Sequence, residues 1–85
     1  RRYDLVEGIT RIGRGNENDI VLKDPAVIRR GHAQIQESGG RFTLKDIGGK
    51  TSVLLNGERL TTPMVLQNTD KITVGDTVLA FVTSR

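Results

Sequence analysis

Apolar and polar residues alternate in short runs along this chain, and turn residues separate one run from the next. In "HAQIQE", Ala33 and Ile35 fall on one side of an extended chain, while Gln34 and Gln36 fall on the other. This period of two is typical of a strand with one buried face, because successive side chains point to opposite faces. No long segment shows the spacing of an amphipathic helix. The sequence therefore predicts an all-β protein.

Glycine-rich turns divide the chain into many short strands. Asn56 and Gly57 give the strongest hairpin signal, because a type I′ turn needs positive φ at both central positions. The run "VLAFV" is apolar on both faces, which predicts a place between two layers or near a sheet centre. Such a pattern is typical of a sandwich of two antiparallel sheets or of a small barrel. The predicted strands are "YDLV", "ITRIG", "DIVL", "HAQIQE", "RFTLKD", "SVLLNGERL", "DKITV" and "TVLAFVTS".

The length of 85 residues predicts one domain over residues 1–85. The chain has no cysteine, which excludes a thiolate metal site or nucleophile and fits a reducing compartment. Its apolar runs are far shorter than the roughly 18 residues of a membrane span, and no basic-then-apolar leader is visible. We therefore expect a cytoplasmic domain without a membrane partner.

The charge balance is mildly basic. Lysine and arginine number 13 against 10 acidic residues, a net charge of +3, and the cations form no continuous block. The aromatic residues are only Tyr3, Phe42 and Phe81. A platform that stacks single-stranded nucleic acid needs several exposed rings. Nucleic-acid binding by these cations is therefore kept only as an alternative to protein binding.

His32 is the chain's one histidine, and it invites comparison with a catalytic base. No serine, cysteine or carboxylate falls at a recognisable catalytic spacing from it. The sequence therefore predicts a protein that is not an enzyme, with no cofactor and no metal site.

Several of these stretches resemble the forkhead-associated (FHA) domain family. The resemblance covers residues 9–81, and its most specific pieces are the Gly13-Arg14 pair, "NDIVLKD", the His32-Ala33 pair and "VLLNGERL". It implies a β-sandwich of the SMAD/FHA type that binds phosphothreonine-containing protein segments through loops at one end. The family usually has one more strand before "RRYDLV". Either this stretch is trimmed of that first strand or an edge strand is open, to be covered by another chain.

The resemblance assigns phosphate contact to Arg14, whose planar guanidinium can meet two phosphate oxygens at once. Gly13 allows the sharp turn beside it. The family's Ser-Arg-x-His pattern places Arg30 at the usual arginine and His32 at a structural position that shapes the binding end. Arg29 stands where the family has a serine, so a long cation replaces a short hydroxyl.

The second half of the family pattern is altered as well. Thr51 replaces the asparagine that holds the bound peptide backbone, and its single hydroxyl cannot reproduce a two-ended amide contact. Lys50 occupies a neighbouring position that contacts phosphate in some relatives. Asn56 and Gly57 are retained, and we expect them to be structural at the binding end.

Two functional hypotheses follow from these substitutions. In the first, the domain recognises phosphothreonine through Arg14, Arg30 and Lys50, with Arg29 and Thr51 beside them. In the second, it is a degenerate member that binds a partner without phosphate, inside a larger assembly. The retained Arg14 and the excess of cations favour the first hypothesis, whereas the two altered contacts favour the second.

Overall fold

The computed structural model describes residues 5, 8–23, 33–47 and 53–83. These residues form strands and turns only, which confirms the predicted all-β class. In the same residues, no helix is long and apolar enough to cross a membrane. The strands are β1 (Gly8–Gly13), β2 (Ile20–Val21), β3 (Ala33–Ser38), β4 (Arg41–Asp46), β5 (Val53–Leu55), β6 (Glu58–Arg59), β7 (Met64–Val65), β8 (Lys71–Val74) and β9 (Thr77–Ala80).

The strands form two sheets, with the order β2-β1-β3-β4-β7 in the five-stranded sheet and β6-β5-β8-β9 in the four-stranded one. All the pairings are antiparallel except that of β1 with β2. The parallel pair sets Ile12 opposite Ile20 and Gly13 opposite Val21. Because β1 and β2 run in the same direction, the loop after Gly13 turns back to the level of Ile12 before β2 begins.

The core lies between the sheets and follows the predicted alternation. Ala33, Ile35 and Leu44 point inward and are buried, whereas Gln36 and Lys45 point outward. Burying one face of each strand removes apolar surface from water, which is the main stabilising contribution available to so small a domain. The buried core residues are Ile12, Ile20, Leu22, Ala33, Ile35, Leu44, Val53, Leu60, Leu66, Ile72, Val74 and Phe81.

A ring contact fixes the relative direction of the two sheets. The centroids of Phe42 and Phe81 lie 5.3 Å apart with the rings tilted by 59°. Phe42 lies near the start of β4, and Phe81 follows β9 directly. The end of the sandwich that holds these rings, the turn at Gly39 and the turn at Asn56 is called here the Phe42 end. The opposite end, where β1 and β4 finish and β3 and β5 begin, is called the Arg14 end.

Two features differ from the predicted strands. β7 was missed, because Met64 and Val65 are a two-residue pairing after Pro63, too short to show alternation. The run "VLAFV" was predicted to lie between two layers or near a sheet centre, and in the described part of the chain β9 is the last strand of its sheet. Val78 is 60% exposed there. An apolar run alone cannot distinguish a strand covered on both faces from one at an edge.

Candidate functional site

Arg14 is the first residue beyond β1, at the head of a loop that its own polar groups hold together. The Asn18 side chain is buried, and its Nδ2 donates to the carbonyl oxygen of Gly15 at 2.8 Å. The backbone N–H of Asn18 donates to the same oxygen at 3.1 Å. A buried amide satisfied in this way closes a turn without help from a ligand. The loop therefore presents the exposed Arg14 from a defined backbone.

The far side of this loop is bonded back to β1. The Arg11 backbone N–H donates to Asp19 Oδ2 at 2.8 Å, and the Asp19 N–H donates to the Arg11 carbonyl at 3.0 Å. The Leu22 N–H donates to the Gly13 carbonyl at 2.8 Å. These bonds hold the backbone on both sides of Arg14 against one strand. A charged side chain carried on such a turn loses less conformational freedom when it meets an anion.

The same loop also carries a carboxylate and an amide that modify its electrostatics. A Cβ atom on Gly15 would meet the Glu17 carboxylate, so this anion lies directly over the backbone that follows Arg14. Lys23 Nζ donates to Asn16 Oδ1 at 3.2 Å, which places a further cation at this end. The segment from Arg14 to Lys23 therefore holds two cations, Arg14 and Lys23, and two carboxylates, Glu17 and Asp19. Its field is mixed rather than purely positive.

Five of the predicted site residues lie outside the described residues: Arg29, Arg30, His32, Lys50 and Thr51. The described neighbours of residues 24–32 are Lys23 and Ala33, and both lie at the Arg14 end. The described neighbours of residues 48–52 are Ile47 and Val53, at the same end. That these segments bring their cations to Arg14 stays a prediction.

Asn56 and Gly57 do not lie at the Arg14 end, whereas the sequence-based expectation placed them at the same end as Arg14. β5 begins at Val53, opposite Val74, and Leu55 already lies opposite Ile72. The turn that follows is therefore at the Phe42 end, a full strand away from Arg14. Following the direction of β5 from the loop that precedes it would have placed this hairpin correctly. The turn type itself was right, since φ is 53° at Asn56 and 84° at Gly57.

At the Phe42 end, side-chain hydrogen bonds of Asn56 and Asp70 connect two turns. Asn56 Nδ2 donates to Asp70 Oδ1 at 3.0 Å, and Asn56 Oδ1 accepts from the Lys71 N–H at 2.8 Å. Asp70 Oδ2 accepts from the Gln67 N–H at 2.8 Å. The Asn56 hydrogen bond, followed by that from Gln67, holds the pKa of Asp70 below its usual value. The retained asparagine is thus a fold determinant.

Replacing Asp70 with asparagine should destabilise the domain by about 1–2 kcal/mol at neutral pH, because the bonds to a charged acceptor are lost. Since the folded pKa is depressed, this stabilisation is complete above the unfolded value of about 3.9 and is lost as pH falls through the folded value. Urea unfolding of both proteins between neutral pH and pH about 2 measures the difference.

Glu58→Gln is the matched control for that variant, since it neutralises an exposed carboxylate next to the same hairpin. It should change the free energy of unfolding by less than about 0.5 kcal/mol. A gap between Asp70→Asn and the parent protein that stayed constant down to the lowest pH would contradict the assignment.

A groove of about 1150 Å³ opens between β2 and β9. Its wall is largely apolar, with Leu22, Phe42 and Leu79 among the lining residues and Lys23 as its one charged side chain. Such a surface does not fit a phosphate. In the described ranges, no cluster of histidine, cysteine or carboxylate side chains could hold a metal ion. The groove is therefore not a candidate for an anion site.

Comparison with known proteins identifies the family to which this fold belongs. The transcriptional regulatory protein EmbR of Mycobacterium tuberculosis (strain ATCC 25618 / H37Rv) is 36% identical over 81 residues, which cover 95% of this chain and 21% of EmbR. A solved structure from work on phosphothreonine-dependent FHA domain interactions matches with a TM-score of 0.92 at 27% identity, covering 100% of this chain and 86% of that one. The structure of EmbR in complex with a low-affinity phosphopeptide matches with a TM-score of 0.76 at 31% identity, covering 92% and 21%.

The chain spans only about a fifth of the length of EmbR, so the likeness concerns one domain of that protein. The FHA domain family model matches residues 10–75, from the middle of β1 to the turn after β8. That match covers more than half of the chain and includes the Gly13-Arg14 pair and the Asn56 hairpin. The chain belongs to the FHA domain family.

Proposed function

We propose that this domain binds phosphothreonine-containing segments of partner proteins at its Arg14 end and acts by binding alone. The observation that carries the proposal is the exposed Arg14 on a loop whose backbone is bonded to β1 on both sides. A phosphothreonine carries a charge of roughly −1.5 to −2 at neutral pH. A guanidinium held in place is suited to it, because the planar fork can donate two hydrogen bonds.

The relatives support the same ligand class. One matched structure comes from work on phosphothreonine-dependent interactions of FHA domains, and another holds EmbR with a phosphopeptide. The unaltered family residue Arg30 and the cation Lys50 would add charge if residues 24–32 and 48–52 bring them to Arg14. Arg29 and Thr51 would then line the same site and set its strength.

A second candidate function is phosphate-independent binding of a partner protein at this end. The Glu17 carboxylate over Gly15 favours it, because an anion close to Arg14 repels an incoming phosphate. The altered Arg29 and Thr51 positions favour it as well. The two candidates differ in one measurable respect, which is whether removing the phosphate removes the binding.

Arg14→Ala should weaken phosphopeptide binding by about 10- to 100-fold, the value of one charge-assisted contact. The measurement is a titration with a degenerate phosphothreonine peptide library and with its unphosphorylated twin. Arg59→Ala is the matched control, since it removes an exposed arginine on β6 and should leave affinity unchanged. Equal binding of both libraries, or no binding of either, would overturn the proposal. Equal binding that Arg14→Ala weakens for both libraries would support the second candidate.

A further inference from the structure

The outer face of the five-stranded sheet carries a row of polar and cationic side chains. Arg11 lies opposite Gln34, and Gln34 lies opposite Lys45, so the three occupy neighbouring strands at one level. Strands lie about 4.8 Å apart, which puts the Cα atoms of Arg11 and Lys45 about 10 Å from each other across the strand that carries Gln34. Arg41, at the start of β4, shares the outward parity of Lys45. These four residues are called here the basic face.

The cations of the basic face are exposed to solvent. Arg11, Arg41 and Lys45 are all solvent-exposed, and within the described ranges none of them makes an ion pair. The nearby Asp19 carboxylate accepts from the backbone N–H of Arg11, at the edge of β1. Glu37 has the opposite parity and accepts from the Gly40 N–H at 2.8 Å.

The next level of the same sheet adds amide and aliphatic groups. Gln36 lies between Ile9 and Thr43, and Thr43 lies opposite Val65. Ile9 is 38% exposed and Val65 is 48% exposed, so each end of this level shows an apolar side chain to solvent. The outward positions described on β1, β3, β4 and β7 include no carboxylate. The face therefore offers positive charge, hydrogen-bonding amides and two aliphatic contacts.

We propose that the basic face is a second protein-docking surface, which binds an acidic segment of a partner through Arg11 and Lys45. Complementary charge at these positions steers encounter and selects against basic partners. Gln34 and Gln36 can donate to and accept from the partner's backbone, while Ile9 and Val65 give it apolar contact. Arg11 and Lys45 belong to the sheet itself, so the surface is already ordered before a partner arrives.

The chemistry of the face favours a protein over a nucleic acid. Phosphate-backbone binding draws its affinity from many lysine and arginine contacts, and only three cations lie on this face. Its outward positions carry no aromatic side chain on which a base could stack, because Phe42 points into the core. The docking surface is independent of the proposed phosphothreonine site. Its loss would leave Arg14 and its loop unchanged.

The test uses the 85-residue chain labelled with nitrogen-15 and a short synthetic glutamate-rich peptide, with its glutamine analogue as the uncharged comparison. We expect amide shifts on β1, β3 and β4 with the glutamate peptide only. The double variant Arg11→Gln, Lys45→Gln should weaken that binding about fivefold or more. The matched control Arg59→Gln, Lys71→Gln removes the same charge from β6 and β8 and should change it less than about twofold.

Other outcomes separate the alternatives. Equal losses in the two double variants would mean that only net charge matters, and would overturn the proposal. Shifts confined to the loop around Arg14 would overturn it as well, by placing the acidic peptide in the proposed phosphate site. Binding of a DNA duplex more tightly than the acidic peptide, with loss in the Arg11→Gln, Lys45→Gln variant, would replace the protein partner by a nucleic acid. These results can be interpreted whether or not the domain binds phosphopeptides and whether or not Arg14→Ala weakens that binding.

Discussion

The double variant Arg29→Ser, Thr51→Asn is expected to bind phosphothreonine peptides about a hundredfold more tightly than the parent domain. It restores the hydroxyl donor and the amide that the FHA family pattern has at these positions. A hydrogen bond to a charged group contributes about 1.5–3 kcal/mol and a neutral one about 0.5–1.5 kcal/mol, so the hydroxyl contact with the phosphate and the two-ended amide contact with the peptide backbone together amount to about 2.5–6 kcal/mol, or about two to four decades of affinity. Isothermal titration calorimetry with one phosphopeptide and its unphosphorylated form measures the gain.

The double variant also loses a cation, and the relative magnitudes decide the direction of the change. An exposed charge acting without a defined partner contributes about 0.2–1 kcal/mol, which is less than either restored contact. Arg29→Lys, Thr51→Ser is the matched control, since it keeps the parent's charge and hydroxyl and should leave affinity close to the parent value. No gain in the Arg29→Ser, Thr51→Asn variant would mean that these loops have been rebuilt for another partner.

The gain should depend on Arg14. Adding Arg14→Ala to the restored double variant should remove most of the recovered affinity, because Arg14 and the restored hydroxyl are proposed to meet one phosphate while the restored amide holds the peptide backbone beside it. Contacts that share a ligand are coupled, so the three changes should not add as independent effects. Full additivity would instead indicate that Arg14 lies apart from the restored positions. The cycle therefore tests convergence at the Arg14 end without a structure of the complex.

Most of the fold could be predicted from local patterns. The alternation in "HAQIQE" and "RFTLKD" identified β3 and β4, because one-sided burial imposes a period of two. The Asn56-Gly57 pair identified its hairpin, because few residues tolerate positive φ. Thr69 also has a positive φ, 75°, and stands where the family has a glycine. No local pattern announces that conformation at a β-branched residue.

Which residues lie at the Arg14 end and which at the Phe42 end depends on strand pairing, and no single stretch of sequence contains that information. Asn56 was expected at the same end as Arg14 because the family pattern retains it, yet the three residues of β5 carry the chain to the opposite end. The position of β9 as the last strand among the described residues likewise depends on strand pairing. Both are properties of non-local pairing. The site could therefore be predicted as a set of residue types, whereas its position required the register of β5 and the Phe42–Phe81 contact.

Leu44→Ala is expected to cause the largest loss of stability among single core changes considered for this domain, about 3–5 kcal/mol. Leu44 is fully buried on β4, between Ile35 on β3 and Met64 on β7. Removing its side chain forfeits the transfer free energy and leaves a cavity that sheet strands on both sides cannot collapse to fill. A domain of this length has a free energy of unfolding of about 4–13 kcal/mol. At the low end of that range the variant should be partly unfolded in water, and at the high end it should unfold at a much lower denaturant concentration than the parent.

Lys45→Ala, one residue further along the same strand, is the control that isolates burial from strand propensity. Lys45 is exposed on the basic face, so its replacement should change the free energy of unfolding by less than about 0.5 kcal/mol. Urea unfolding of both variants gives the midpoints, and an unchanged slope against denaturant would show that native compactness is preserved. Similar losses at the two positions would contradict the placement of the core, because a shift of one residue in β4 exchanges its buried and exposed faces.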